Sequence, residues 1–373
     1  MTVSTTSRHT VLHEEHAALG ASFTDFGGWD MPLKYGSELA EHHAVRNAAG
    51  LFDLSHMGEI RVTGEQAAAF LNTALVGNLA AIAVGRAKYS LLCTPQGGII
   101  DDLISYRLGD DEYLVVPNAG NAGVVAQTLQ ERAAGFDVTV VDESDRTSLV
   151  AVQGPAAEAI LLELIPAAEQ GQVTSLRYYA FAGATVAGTS VLLARTGYTG
   201  EDGFELYVAN ADAATLWAAL LEAGEQHGLI PCGLASRDSL RLEAGMPLYG
   251  QELTLDTEPF SAGLGPVVSF TKDEDFIGRE ALQALKATGT PRRLVGMRGR
   301  GRRAARPGYP VVADGRHVGE VTSGAPSPTL GHPIALAYVE TAFAEPGSTV
   351  TIDVRGKPEP FEVVALPFYR RPQ

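Results

Sequence analysis

Segments with the two-residue period of strands alternate with segments of helical period along the first three-quarters of this chain, and from about residue 291 the helical period stops. That switch constrains the fold more than any other feature, because it calls for a mixed α/β body followed by an all-β unit. GEIRVTG leading into EQAAAFLNTAL reads as strand, turn, helix; KYSLLCTPQGGIIDDLISYRL reads as a hairpin around Pro95 to Gly98. EYLVVPNAG followed by NAGVVAQTLQERAAG repeats strand then helix. The pattern returns in TSLVAVQGP with AAEAILLELI, and in GFELYVAN with DAATLWAALLEAGEQHG, whose helix should stop by Gly228. Beyond residue 291, VVADGRHVGEVTSG, PIALAYVE, STVTIDV and PFEVVAL read as strands joined by DG and Gly/Pro turns, which predicts a small barrel.

Length and charge narrow the function. The 373 residues, 45% apolar and 19% charged, can bury more than one core, so two or three domains are expected. A formal charge of -16 disfavours a protein that coats nucleic acid. The two cysteines, Cys93 and Cys232, have neither metal-type nor disulfide-framework spacing and suit a reducing compartment. The N-terminal stretch lacks the apolar core of a signal peptide and every apolar run is short. The expectation is a cytoplasmic protein that neither spans nor needs a membrane.

There is no P-loop, no GxGxxG opening a helix, and no GxSxG elbow, so neither a bound flavin nor a hydrolase nucleophile is expected. His13 and His16 in HEEH, and Glu41, His42 and His43 on a charged stretch, read as surface groups rather than metal ligands, and no metal is expected.

Several polar residues stand where patterning alone would not place them. Asp101 and Asp102 lie within GGIIDDLI; on a strand they would point to opposite faces, so one carboxylate must meet apolar surroundings and gain proton affinity. Alternation does not say which, and a pair at a strand edge is the plainer alternative. In RTGYTGEDGFELYV, Glu205 and Tyr207 share a face opposite Phe204, Leu206 and Val208. A carboxylate beside aromatic rings suits a flat heterocycle with an amino group next to a ring N–H, such as a pterin; a solvent-facing Glu is the alternative. GLASRDSLRLEAGMPLYGQEL reads as a helix ending near Gly245 with Arg237 and Arg241 on one side, free to pair with Asp238 or Glu243 or to face a cleft. Tyr369 and Arg370 follow the final strand. Lys286 to Arg306 holds seven arginines and no acid, a solvated face or a docking patch.

Taken in order, DFGGWDMPLKY, GLFDLSHMGEI, GGIIDDLI, QGP, RTGYTGEDGFEL, GLASRDSLRLEAGMPLYGQEL, TSGAPSPTLG and PFYR resemble the glycine cleavage T-protein family from end to end. The resemblance implies an α+β fold of three domains around a central channel. Two are ferredoxin-like α/β units, residues 1–60 with 146–254 and residues 61–145 with 255–285, and the third is a β-barrel over 286–373. It also implies aminomethyl transfer to tetrahydrofolate from the lipoyl arm of an H-protein. By motif it makes Asp102 the catalytic carboxylate, Glu205 the holder of the pterin edge, and Arg237 and Arg370 folate-binding residues. Met57, Tyr89, Tyr178 and Tyr198 would wall the folate, although the neighbouring Tyr179 leaves Tyr178 ambiguous. Asn118 is set aside because Pro117 interrupts the strand before it. A folate-binding iron–sulfur assembly helper of the same superfamily is the alternative; such helpers carry a KGCYxGQE-like segment where this chain has AGMPLYGQE.

Overall fold

Strand Thr147–Gln153 (TSLVAVQ) carries apolar residues on both faces, and the computed structural model, which describes residues 7–372, shows why. It lies inside a six-stranded sheet ordered Phe181–Val186, Thr189–Ala194, Gly203–Ala209, Thr147–Gln153, Ala49–Asp53, Leu229–Pro231, antiparallel except for the last pair. On one face helices Ala157–Leu164 and Ala213–Gly224 pack Ile160, Leu161, Leu216 and Trp217 against Val150, Val152, Phe204 and Leu206. The helix before Gly228 ends in a short 3-10 turn, and Gly228 itself adopts the left-handed conformation of a helix stop.

The opposite face, with Phe52, Ala151, Ala194 and Tyr207, meets Tyr106, Leu114 and Val116 of a second sheet. That sheet is antiparallel throughout, ordered Ala87–Cys93, Ile99–Gly109, Glu112–Pro117, Ile60–Thr63, Thr139–Asp142. Helices Ala67–Ala74 and Ala122–Arg132 cover its outer face through Phe70, Leu71, Val125 and Leu129. Each sheet is therefore buried on both sides, which is why its strands read as apolar runs rather than as clean alternation.

Beyond Arg292, six strands close into a barrel around Met297, Val321, Ala337, Ile352, Phe361 and Val363. Strand Pro358–Val364 completes it by pairing with Arg292–Gly299. The mixed α/β body and the terminal barrel are as the periodicity predicts.

A hairpin, Ser22–Phe26 with Trp29–Lys34, stands apart from both sheets. Its two-residue turn needs positive φ twice, and Gly27 (62°) and Gly28 (87°) supply it. Trp29 and Met31 pack it onto Ala119 and Leu234.

One group of expectations is corrected. His16, Glu41 and His42 are buried, not surface groups. The His16 Nε2 lies 2.8 Å from Asp53, Glu41 accepts the backbone N–H of Tyr35 and Gly233, and His42 bridges Ser239 and Thr329. Polar residues with complete internal partners carry no pattern that separates them from solvated ones.

Candidate functional site

The loop at Pro95–Gly98 turns the chain back so that Leu92 opposes Asp101, but Cys93 then opposes Ile99, leaving Ile100 as an extra residue. Such a bulge re-aims side chains. Both aspartates now reach one amide. The Asn118 Nδ2 lies 2.9 Å from the Asp101 Oδ1, the Asp102 Oδ1 and the Asp102 backbone oxygen. The Tyr89 hydroxyl donates to the Asp102 Oδ2 at 2.9 Å. Among the described residues no lysine or arginine pairs with Asp102. Burial pushes its carboxyl up to about 6, against the hydrogen bonds from Tyr89 and Asn118. Asp101 is 0% exposed and is pushed up to about 7, first by burial and then by its neighbour's charge.

Pro117 does not displace Asn118. Pro117 is the last residue of its strand, opposite Leu103, and its carbonyl accepts the Gly58 N–H. Proline lacks only the donor, and here no partner strand needed one. Asn118 is thus a site residue that the sequence reading left out.

Glu205 faces the interface between the sheets, so its alternation with Phe204 and Leu206 is as read but the face is not solvent. It is 9% exposed, accepts a hydrogen bond from the Thr196 hydroxyl, and is pushed above its ordinary range by burial. Thr196 in turn meets the Tyr106 hydroxyl at 3.1 Å. The helix Leu234–Glu243 separates its two arginines by role. Arg241 is consumed internally by Asp238, Glu252 and Ser323. Arg237 has no carboxylate within ion-pair distance among the described residues; its guanidinium lies 4.9 Å from the Tyr198 ring, and burial disfavours its charge while Glu205 and Tyr198 act to support it.

These elements enclose a cavity of about 390 Å³. Met57, Asn118, Tyr198 and Arg237 line it, with Phe26 and Leu33 from the hairpin and Arg306 and Ser323 from the barrel. Asp102 reaches it through Asn118, and Glu205 stands beside Arg237. His56 is a further lining residue that the sequence reading did not single out. It is buried, its Nδ1 has no partner, and burial with the nearby Arg237 charge drives its pKa down to about 4, so the imidazole is neutral. Asp102, Glu205 and Tyr89 do not themselves line the cavity, and Tyr178 and Arg370 stand further off. Tyr178 is 48% exposed and packs edge-on against Tyr179. Arg370 lies in a separate depression with Gly200, Ala244, Met246 and Tyr369.

Tyr179 is more buried, and its phenol is raised first by that burial, then by Tyr178, Glu205 and Asp102. Its φ of 62° is unusual for an aromatic residue. It is held there by its N–H to the Arg195 oxygen at 3.0 Å and by the Ala87 N–H to its own oxygen at 2.9 Å. Elsewhere, His9, His13 and Asp30 bring ligand atoms within 4.8 Å of one another, but the two imidazoles stack 3.8 Å apart at 6°, so their in-plane lone pairs run parallel rather than converge.

Comparison with known proteins gives one pattern along the whole chain. Residues 12–272 match the GCVT N-terminal domain and residues 292–370 the glycine cleavage T-protein C-terminal barrel domain. A Streptomyces avermitilis aminomethyltransferase is 61% identical over 372 residues, 99% of each chain, and one from Bacillus subtilis is 44% identical over 98% of this chain and 99% of its own. The crystal structure of a glycine cleavage system aminomethyltransferase T from Bartonella henselae superposes with a TM-score of 0.91 at 36% identity, covering 98% of this chain and 99% of that one.

Proposed function

Because the chain belongs to the glycine cleavage T-protein family of aminomethyltransferases, we propose that its cavity seats tetrahydrofolate with the pterin edge at Glu205 and the reacting nitrogen N5 at Asp102. The activity is that of the family. The S-aminomethyl group on a dihydrolipoyl carrier gives its methylene carbon to tetrahydrofolate, the C–S bond breaks, ammonia leaves, and 5,10-methylenetetrahydrofolate and the dithiol carrier result. The iron–sulfur helper reading is not favoured, since relatives matched from end to end are aminomethyltransferases.

No protein nucleophile is required. The folate nitrogen attacks the aminomethyl carbon, so the protein has to hold two large groups in register and stabilise positive charge as it develops on carbon and nitrogen. One observation carries the assignment: Asp102 is a sheltered carboxylate with hydrogen-bond donors on both oxygens and no paired cation among the described residues. Its negative charge is therefore left for the reacting centre. Glu205 accepts the amino and ring N–H of the pterin, while Arg237, which lacks a carboxylate partner, takes an anionic or carbonyl oxygen of the folate. Met57 and Tyr198 form walls, and Tyr89 stands behind them as the donor to Asp102. Tyr178 and Arg370, away from the cavity, receive no pterin contact in this reading.

A T-protein implies an H-protein partner. We assign the lipoylated arm of that partner to the open side of the same cavity and the protein to the cytoplasm, a reading that two free, buried cysteines support. Among the described residues no helix is long and apolar enough to cross a membrane. With purified protein, tetrahydrofolate and an aminomethylated lipoyl carrier, Asp102→Asn is expected to keep tetrahydrofolate affinity and lose turnover by about 100-fold or more, the usual size of a lost charge-stabilising group. Glu205→Ala is expected to weaken tetrahydrofolate binding by about 10- to 100-fold. Near wild-type turnover in the first, or unchanged affinity in the second, removes that residue's role.

A further inference from the structure

Asp101 does not line the cavity, yet it is held by Asn118, which does, and by Asn121 behind it. Its Oδ2 accepts the Asn118 backbone N–H at 2.9 Å, and its Oδ1 accepts the Asn118 Nδ2 at 2.9 Å and the Asn121 Nδ2 at 2.7 Å. Three N–H groups directed at one carboxyl group, with no acceptor opposing them, hold it in a fixed pose. Asn118 is gripped at both its backbone and its side chain. That double hold fixes the orientation of the amide as well as its position, because a flipped amide would set its oxygen against three others.

We propose that Asp101 is a positioning residue for aminomethyl transfer: it locks Asn118 so that the amide N–H side is spent on the aspartate pair and the amide oxygen is turned away from it. This deepens the reading in which Asp102 is the reacting carboxylate, and rests on it. The Asn118 Nδ2 carries two hydrogens and meets three oxygens at 2.9 Å, two of them from Asp102. The same grip therefore sets both the Asp102 side chain and the backbone that carries it. The bulge at Ile100 is what allows adjacent residues of one strand to be reached by a single amide. The other groups facing this cluster are phenols, Tyr89 from the neighbouring strand with Tyr179, Tyr198 and Tyr249, so the orientation of Asn118 is not duplicated by a nearby cation.

The test is a double-mutant cycle on the full chain, assayed with tetrahydrofolate and aminomethylated lipoyl carrier, with tetrahydrofolate affinity measured separately by titration. Asp101→Asn replaces one accepting oxygen with a donor and breaks the grip without changing shape. It is expected to lower kcat at least 10-fold while the tetrahydrofolate dissociation constant stays within 3-fold. In an Asn118→Ala background the same change is expected to cost less than 2-fold, since its intermediary is already gone. Independent, multiplicative losses in the cycle, or wild-type kcat in Asp101→Asn, would overturn the proposal. Should Asp101→Asn fail to fold, Asn121→Ala leaves the Asn118 contacts in place and removes the third donor, together with its 3.3 Å bond to the Ile100 oxygen. It is expected to lower kcat about 2- to 5-fold with affinity intact, and a loss of affinity instead of kcat counts against positioning. Asp102→Asn, run alongside, separates the two readings. If it retains turnover the Asp102 assignment is at fault; if it abolishes turnover while the cycle is multiplicative, only the role of Asp101 is.

Discussion

At Asp102 burial favours the neutral acid, while Tyr89 and Asn118 favour the carboxylate, and burial wins by enough to place ionisation at about 6. The proposed role needs the anion. Protonation therefore removes activity as pH falls through that value, and kcat/KM is expected to show a one-proton acid limb near pH 6, flat above pH 7 as far as this group is concerned. A pH–rate profile checks it, and a profile that stays level down to pH 5 would sink the assignment. Single residues of this kind were only half legible in the chain. The strangeness of two acids in an apolar strand was visible, but alternation put them on opposite sides, because a bulge leaves no mark in hydrophobic period. Asn118 was set aside for a related reason: a proline beside it looked disruptive, whereas its missing donor falls at the end of a strand. His56, sharing a motif with Met57, gave no signal of its own, since a neutral buried imidazole and a solvated one are written with the same letter.

Elements were read more securely than the sides they turn inward. The hairpin at Pro95–Gly98, the helix carrying Arg237 and the barrel strands all follow from period and turn residues, which depend on neighbours in sequence. Burial of the second face of each sheet depends on a partner far along the chain, which is why alternation alone leaves a solvent-facing Glu205 open as the alternative to a buried one. The buried ion cluster shows the same limit. Arg46, on helix Glu38–Asn47, bonds Glu243 at the end of helix Leu234–Glu243 at 2.8 Å and Glu201 at 2.9 Å, while Ser327 and Thr329 of the barrel hold Glu243 from the other side. Burial opposes ionisation of Glu243, but His42, Ser327 and Arg46 outweigh it and hold its pKa down at about 2. A depressed acid stabilises the fold above its unfolded value of 4.5 and loses that contribution as pH falls toward 2. Glu243→Ala leaves Arg46 buried without its main partner and is expected to cost about 3–5 kcal/mol in urea unfolding at pH 7. The difference from wild type should narrow steadily below pH 4; a constant difference would show that packing, not charge, is responsible.

Across the whole molecule, net negative charge coexists with a basic strip on the barrel. Part of that strip is neutralised internally: Arg298 and Arg300 share Glu362, and Arg303 pairs with Glu359. Two glutamates do not balance seven arginines, and Arg302 is exposed. If the carrier docks here, reversing Arg302 and Arg303 to Glu is expected to raise KM for the carrier about 10-fold at low salt, with the effect fading as ionic strength rises, and to leave KM for tetrahydrofolate unchanged. An unaltered carrier KM and salt dependence would move docking to another face. The barrel also supplies Arg306 and Ser323 to the cavity, so the site is shared between parts of the chain made at different times. Closure of the barrel waits for strand Pro358–Val364, the last of its strands in chain order, to reach Arg292–Gly299. During translation the earlier sheets are free to form first, but the cavity lacks a firm wall on its barrel side until that strand has left the ribosome. A chain cut before Pro358 would therefore lack the strand that shuts the barrel, and Arg306 and Ser323 would stand on an open sheet rather than a closed wall.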